Sequence, residues 1–382
     1  MGKWASLGLL LLLSGLVVAC GATPTPAPEP VAPEPTASAT APAEPAGPAV
    51  LPNLLVETEG DVWLRRVGWS EFLPAGFGIT VQPGDLLRIP EGSVASVFCG
   101  DETLWEEGPK TLPDDDLEHT APCQTGRPPR PWSDVAALRG EQDEGVPNVL
   151  RPRNTALLSD RPQLHWHPLP SVASYTVTLI SDDGQDRPPV PANGGELEWP
   201  ADWPPLELRA TYVLVVEGDG VRSDQGNEEH AGLGFWLLSA ANAEEVKALE
   251  SRLRAQPLSP TAVDLLVAEL YLGHGLRAEA TQLLEDLTKS DGAASVWLAL
   301  GQAYLESGVT SEAGAALERA EAAAKATGQQ ELEAAARVGL GLVARLQDDG
   351  ATAETHLQAA RALYEQIGDQ NGLEQVDRLL SD

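Results

Sequence analysis

Two histidines stand two residues apart and have the spacing to hold a metal ion together. His165 and His167 flank Trp166 in a run of alternating polar and apolar residues, so both imidazoles are expected on one face of a β-strand. A zinc site needs at least three protein ligands. No third ligand is identifiable near the pair, and the flanking Trp166 accounts for the strand without a metal. The sequence therefore favours a structural strand over a metal site.

Two acidic segments have residues that calcium could bind. Residues 182–186 read DDGQD, but the alternating ligands and the closing glutamate of a calcium-binding hand are missing. We interpret this segment as a hairpin turn. Residues 114–116 form a second cluster that could attract calcium weakly, and we interpret it as a solvated acidic loop.

The sequence contains no signature of a known catalytic centre. A serine elbow, a phosphate-binding loop, a dinucleotide fingerprint and a His-Glu-x-x-His motif are all missing. Paired carboxylates for acid–base chemistry cannot be chosen among 57 Asp and Glu residues without a pocket. We therefore predict a protein that is not an enzyme and has no catalytic residues, metal or cofactor.

The charge balance argues against a nucleic-acid partner. The formal net charge is −32, and nothing compensates the repulsion from phosphates. The longest local excess of positive charge, around Arg127 and Arg130, is interrupted by prolines. We interpret the acidity as a solvated surface that favours solubility.

The elements that would position a binding surface are clearest in residues 259–382. Four residues give the pattern Trp-x2-Leu-Gly-x2-Tyr: Trp297, Leu300, Gly301 and Tyr304. Gly301 has no side chain, so a second helix can approach there. The apolar positions of that helix follow at suitable offsets: Ala313, Leu317 and Ala320. The pattern resembles a tetratricopeptide repeat, a helix pair of about 34 residues that stacks on copies of itself.

Neighbouring segments resemble the same repeat. Upstream, Tyr271 precedes Ala280 with one residue fewer than the usual period, and downstream Gly341 precedes Leu357 with a longer connection. Residues 372–380 resemble a terminal capping helix. About three pairs and a cap meet the minimum that such solenoids need to bury a continuous core.

The amino terminus has the features of a targeting segment. Lys3 is followed by an apolar run of about a dozen residues, which is too short to span a bilayer comfortably. Residues 17–20 read VVAC and resemble the cleavage site of bacterial lipoproteins. The resemblance implies a signal peptide over residues 1–19, lipid attachment at Cys20 and a location outside the cytoplasm. The alternative is an ordinary secretory peptide with an incidental cysteine.

Residues 20–52 comprise the lipidated cysteine and a linker rich in Pro and Ala, which we predict to be disordered. Its thirty or so residues, at ~3.1 Å each, would reach at most ~90 Å. That length would hold folded domains clear of the lipid headgroups.

Residues 53–123 change to short β-type runs separated by turn residues such as Gly60-Asp61 and Gly84-Asp85. Their order resembles the small β domain of FecR-type proteins. In the namesake this domain serves a periplasmic signalling protein that has a transmembrane helix and a cytoplasmic end. This sequence shows neither, so we expect a β module that binds or supports other parts.

Cys99 and Cys123 are the cysteines that remain after Cys20. Outside the cytoplasm an even pair predicts a disulfide, which would stabilise the fold by ~3 kcal/mol in the chain-entropy model. A redox pair or a zinc site would prefer Cys-x-x-Cys spacing, so we favour the structural disulfide.

Residues 124–153 are predicted to be a connector with one possible short helix at 132–138. Over residues 154–239 period-two alternation returns, and Trp166 precedes Tyr175 by nine residues. This segment resembles a fibronectin type III-like or immunoglobulin-like antiparallel β-sandwich. Residues 240–258 are predicted to be a helical bridge into the repeats.

In tetratricopeptide repeats the first helix of each pair lines a concave groove. Alignment with Trp297 and Tyr304 implies a mixed apolar and polar strip suited to an extended peptide or a helix. Its residues are Leu265, Glu269, Leu298, Gln302, Leu305, Val338, Leu342 and Arg345. The alternative is that the capping helix or the sandwich covers the groove. Acidic rims would favour basic partners, through steering more than through affinity.

The sequence thus predicts a multidomain α+β protein that is tethered to a membrane by lipid and holds other envelope or secreted proteins in its repeat groove. Two alternatives stay open. One is a sensory adaptor of the FecR type, and the other is an envelope enzyme with a site between the β modules and the repeats. The sequence does not predict the oligomeric state.

Overall fold

The structure, a computed structural model, describes residues 51–107, 118–130, 132, 145–225, 227, 230, 232–290 and 292–381. All of these residues belong to one contact unit. The predicted signal peptide, Cys20 and nearly all of the linker lie outside the described residues. The acidic cluster at 114–116 and most of the possible helix at 132–138 also lie outside them.

Seven short strands of the described chain form the first β module. They are β1 (Leu54–Glu59), β2 (Val62–Arg65), β3 (Leu73–Ala75), β4 (Leu86–Arg88), β5 (Val94–Phe98), β6 (Leu104–Glu107) and β7 (Glu118–Thr120). One antiparallel sheet has the order β1-β5-β6 and the other has the order β3-β2-β4-β7. Alternating side chains of both sheets, such as Val62, Leu64 and Val97, fill a common core.

Strand β1 is buried on both faces, and this ties the first β module to the helices. Leu55 belongs to the core of the module, whereas Leu54 and Val56 belong to the core that the helices form. Because successive side chains of a strand point to opposite faces, one apolar run serves two cores. The module therefore packs directly against the helices.

The two cysteines of the first β module form a disulfide bond. Cys99 follows β5 and Cys123 follows β7, so the bond links strands of the two different sheets. Their Cα atoms lie 5.4 Å apart, and both residues are buried. This pairing agrees with the predicted disulfide.

The second β module contains the remaining strands of the described chain. They are β8 (Asn148–Arg151), β9 (Thr155–Leu157), β10 (Leu164–His167), β11 (Tyr175–Ser181), β12 (Arg187–Ala192), β13 (Glu196–Leu197), β14 (Thr211–Gly218), β15 (Val221–Arg222) and β16 (Phe235–Leu237). One sheet has the order β13-β10-β8, and the larger sheet has the order β12-β11-β14-β16-β9, with β15 beside β14. Strand β8 lies within the predicted connector and pairs with β10.

Both sheets of the second module share one core around Trp166, which packs edge-on against Tyr175 with ring centroids 5.8 Å apart. The prediction that Trp166 is a core residue is confirmed. One pairing differs from the predicted antiparallel pattern, because β16 runs parallel to β9. These strands are far apart in the chain, so no tight turn forces them to be antiparallel.

Eight helices of the described chain follow the strands. They are α1 (Ala240–Arg254), α2 (Pro260–Gly273), α3 (Arg277–Ser290), α4 (Ala294–Glu306), α5 (Thr310–Thr327), α6 (Gln330–Leu346), α7 (Gly350–Ile367) and α8 (Gln370–Ser381). Ser239 and Ser259 cap the first two helices by accepting a hydrogen bond from a backbone N–H of the first turn. None of the helices that the structure describes is long and apolar enough to cross a bilayer.

The helices pack as the pairs α2–α3, α4–α5 and α6–α7, and α8 packs on α7. Glycines on the first helix of a pair make room for leucines on the second. A Cβ atom on Gly301 would lie 2.6 Å from Cγ of Leu317, and one on Gly341 would lie 2.9 Å from Cγ of Leu357. Side chains larger than hydrogen would hold these helices apart. The predicted order of strands first and paired helices last is therefore found in the structure.

Candidate functional site

Four of the predicted groove residues are buried in the helical core. Leu265, Leu305, Val338 and Leu342 are each 2% exposed or less. The prediction that they line an open groove is wrong, because all four side chains belong to the hydrophobic core around the helices. A Cβ atom on Gly78 of the first β module would lie 3.1 Å from Cδ2 of Leu265, which shows how closely the module approaches α2.

The other four predicted groove residues keep polar or partly exposed positions. Arg345 donates a hydrogen bond to the backbone carbonyl of Leu379 on α8. Glu269, Leu298 and Gln302 line a cavity between the helices and the first β module. The predicted alternative named the capping helix or the sandwich as the cover. The capping helix α8 contacts Arg345, whereas the first β module and the connector lie against α2 and α4.

The cavity has a volume of about 180 Å³ and lies where α2, α4 and α6 face the first β module. Its polar lining includes three arginines with their acidic or amide partners: Arg66, Arg127, Arg130, Glu269, Gln302 and Glu331. Ligand pockets usually have volumes of ~300–1,000 Å³, so this one is small for an organic cofactor. It occupies the place between the β modules and the repeats where the enzyme alternative would have its site.

The connector crosses this face of the helices from α2 to α6. Nη2 of Arg127 lies 2.6 Å from Oε2 of Glu269 on α2. Arg130 donates two hydrogen bonds to side chains of α4, from Nη1 to Glu306 over 3.2 Å and from Nη2 to Gln302 over 3.3 Å. Trp132 then packs on α6. We call residues 127–130 and 132 the strap.

The strap is held in an extended form. The backbone N–H of Arg127, its first residue, donates to the carbonyl of Leu51 over 3.0 Å. Arg127 also forms an isolated parallel β-bridge with Pro52. Pro128 and Pro129 restrict the next two φ angles to about −65°. Burial lowers the pKa of Arg127, and the nearby Glu269 carboxylate partly offsets this effect. Arg127 and Glu269 therefore form a partly desolvated ion pair.

A second buried ion-pair cluster joins the first β module to α6. Arg66 donates to both carboxylate oxygens of Glu331, over 2.7 and 2.9 Å, and to Asp85 over 2.8 Å. Its guanidinium also lies 5.4 Å from the ring centroid of Trp69. Burial lowers the pKa of Arg66, but the carboxylates of Glu331 and Asp85 outweigh this and raise it. Each charged group of this cluster has an oppositely charged partner within the protein, which favours a structural role.

The second β module docks on α3 and α4 through different contacts. The backbone N–H of Leu158 donates to Glu279 over 2.8 Å, and Arg151 contacts Glu285 at 2.5 Å. Asn154 donates to the carbonyl of Glu306, at the end of α4, over 2.7 Å. One oxygen of Glu279 is buried without a hydrogen-bond partner, and burial raises the pKa of this carboxyl to about 7. This interface therefore holds an acid that titrates near neutrality.

His167 and the DDGQD segment have structural partners. His167 pairs with Glu312 of α5, and His165 is partly buried in β10. The DDGQD segment is the turn between β11 and β12, where Asp183 accepts hydrogen bonds from the Ser181 hydroxyl and the Gln185 N–H. Across the described ranges, no group of three or more His, Cys, Asp or Glu side chains is placed to hold a metal ion.

The strap is the main feature that the sequence did not reveal. Arg127 and Arg130 stood out only as a small excess of positive charge interrupted by prolines. Their spacing of three residues could have indicated a common role. A polyproline helix has three residues per turn, so two side chains three residues apart project from the same side of it. Which surface they would face could not be read from the connector itself.

Comparisons with known proteins assign the chain to no family. No family model matches the sequence, and the comparison with curated proteins finds no match. Among solved structures, the crystal structure of MamA is similar over 36% of this chain and 87% of that chain, with 19% sequence identity and a TM-score of 0.27. A likeness at this TM-score carries no information about function.

Proposed function

We propose that this protein is a non-catalytic scaffold that binds an extended segment of another protein. The segment binds along the face of α2, α4 and α6 that the strap crosses, which we call the inner face. In this proposal the helix pairs continue as a tetratricopeptide-type solenoid, whose first helices form the binding face. The partners are other envelope or secreted proteins, since the signal-like residues 1–20 imply a lipid anchor at Cys20 outside the cytoplasm.

One observation carries the proposal. The inner face already holds an extended, proline-containing segment, the strap, through side-chain contacts to α2 and α4. A surface that accepts one extended chain has the shape and the hydrogen-bond acceptors to accept another. Each carboxylate of the ion pairs at the cavity has an arginine partner within the protein, whereas Nε of Arg127 is buried without a hydrogen-bond partner.

A sensory adaptor is the second candidate, and one contact favours it. The FecR-like first β module reaches the same face through Arg66 and Glu331. A ligand that displaced the module from α6 would change the environment of both residues. Hydrogen exchange of the first β module with and without a bound partner would test this coupling.

Photo-crosslinking in intact cells tests the scaffold. A photoreactive residue at Gln302 samples the inner face, and one at the exposed Glu318 of α5 serves as the matched outer control. We expect adducts with a specific partner from position 302 and none from position 318. Adducts from the outer position alone, or none from the inner position, would refute the proposal.

A further inference from the structure

The strap has the features of an internal ligand. We infer that the inner face recognises a proline-rich segment of a partner protein that carries two arginines three residues apart, and that the strap occupies this site until such a partner displaces it. This inference rests on the proposed scaffold function and specifies the class of its partner.

The acceptors on the helices suit arginine. Arg127 contacts Oε2 of Glu269 and lies 3.4 Å from the backbone carbonyl of the same residue. Arg130 reaches two different side chains, Glu306 and Gln302, with its two terminal nitrogens. A planar guanidinium presents several donors in a rigid fork, whereas a lysine ammonium is a compact point charge. Nη2 makes both contacts of Arg127, so the fork geometry is used only by Arg130, and we expect the Arg130 position to prefer arginine over lysine.

The proline spacing matches the spacing of the acceptors. A polyproline helix has three residues per turn, so Arg127 and Arg130 project from the same side when Pro128 and Pro129 separate them. The prolines also restrict the unbound segment, which lowers the entropy lost when it binds. Inserting one residue between the arginines would turn the second guanidinium away from Gln302 and Glu306.

Trp132 is a third anchor. A Cβ atom on Gly339 of α6 would lie 2.5 Å from the Cη2 atom of this ring, so the glycine leaves the space that the indole fills. The strap thus places Arg127 on α2, Arg130 on α4 and Trp132 on α6. These three side chains contact three different helices, so one segment reaches all three.

A partner protein is a better occupant than a second copy of this chain. Every copy has a net charge of −32, which opposes self-association, whereas the same field attracts a basic segment and speeds its encounter. The strap is also tethered on both sides in its own chain, by the Cys99–Cys123 disulfide before it and by β8 after it. This tether gives it a high effective concentration at its own site, and a competing segment binds more weakly until the strap is released.

Fluorescence anisotropy with a labelled peptide of residues 124–132 (QTGRPPRPW) tests the inference on the full chain. We expect a variant carrying Arg127→Ala and Arg130→Ala to bind this peptide at least tenfold more tightly than the wild-type chain does. Replacing both peptide arginines by alanine should weaken binding at least tenfold, and lysines should weaken it several-fold. We call the variant with Arg127→Ala and Arg130→Ala the released variant, and adding Glu269→Gln and Glu306→Gln to it should abolish binding of the peptide.

Three results would overturn the inference. In the first, the variant with Arg127→Ala and Arg130→Ala has the unfolding transition of the wild type but does not bind the peptide, which excludes a proline-rich segment with two arginines as the ligand. In the second, the peptide with alanines in place of both arginines binds equally well, which excludes the same ligand. In the third, the released variant dimerises and the peptide dissociates the dimer, which would show that the site binds a second copy of this chain. If the double variant unfolds, Arg130→Ala alone replaces it. Loss of peptide binding with persistent crosslinks from position 302 rejects only this inference, whereas loss of both rejects the scaffold as well.

Discussion

Arg66, on the turn after β2, binds Glu331 on α6 through two hydrogen bonds of 2.7 and 2.9 Å, although 265 residues separate them in the chain. The same guanidinium also holds Asp85 of the first β module. A charge in this position is costly to bury unless every partner is in place. The cluster therefore makes docking of the first β module depend on the correct position of α6.

Arg66→Met should strongly destabilise the protein. The substitution leaves Asp85 and Glu331 without their common partner in a buried place, which costs about 3–5 kcal/mol. Urea unfolding followed by tryptophan fluorescence measures the loss. Arg252→Met is a matched control, because Arg252 also forms two hydrogen bonds to a glutamate of the first β module, Glu102, but at the exposed surface. A control loss as large as that of Arg66→Met would contradict the assignment to burial.

Gly301→Ala should separate α4 from α5. The new Cβ atom would lie 2.6 Å from Cγ of Leu317, and overpacking of this kind costs about 1–3 kcal/mol. Gly314→Ala, in the middle of α5, is the control, since its Cβ atom would lie 3.6 Å from Val343. There the better helix propensity of alanine should leave stability unchanged or raise it by up to about 1 kcal/mol. Equal melting temperatures for both variants would exclude a tight helix seam at Gly301.

Glu279→Gln should reduce the pH dependence of stability. Burial raises the pKa of this carboxyl from its ordinary 4.5 to about 7, so the folded state holds the proton more tightly than the unfolded chain does. Its stabilising effect is full below pH 4.5 and is lost as the pH rises through 7, by an amount on the order of 3 kcal/mol. Glutamine does not titrate, so the variant should lose less stability than the wild type between pH 5 and pH 8. The exposed Glu318→Gln should leave the wild-type slope unchanged, and an unchanged slope in Glu279→Gln would exclude this carboxyl as a source of the pH dependence.

The Cys99–Cys123 disulfide should contribute about 3 kcal/mol, because it closes a loop with a sequence separation of 24. Thermal unfolding of the chain with Cys99→Ser and Cys123→Ser should show the loss. Thiol labelling gives an independent readout, since both cysteines should react only after reduction. Labelling of the untreated protein at either position would count against the bond.

Cys20→Ser tests the proposed anchor. If this cysteine carries the lipid, the variant should leave the membrane fraction and collect in the medium or in a soluble envelope fraction. Fractionation and immunoblotting of cells that make either form measures the change. Continued retention of the variant in the membrane fraction would reject lipid attachment at this residue.

Local patterns were enough to predict several features. The Trp-x2-Leu-Gly-x2-Tyr pattern predicted that a second helix approaches closely at Gly301, and Leu317 of that helix lies there. The resemblance to a fibronectin type III-like or immunoglobulin-like sandwich predicted Trp166 as a core residue, and two cysteines outside the predicted anchor left one pairing for a disulfide. Each of these predictions depends on residues close in sequence or on a count.

The cover over the inner helices was decided by tertiary structure alone. Leu265 reads as a groove residue on its own helix and is buried because the first β module lies over it. The glutamates on the helices that bind Arg66, Arg127 and Arg130 lie more than 100 residues away, at sequence separations of 265, 142 and 176. Helix periodicity shows which side chains share a face, but what covers that face depends on how separate segments meet, and local spacing holds no record of that.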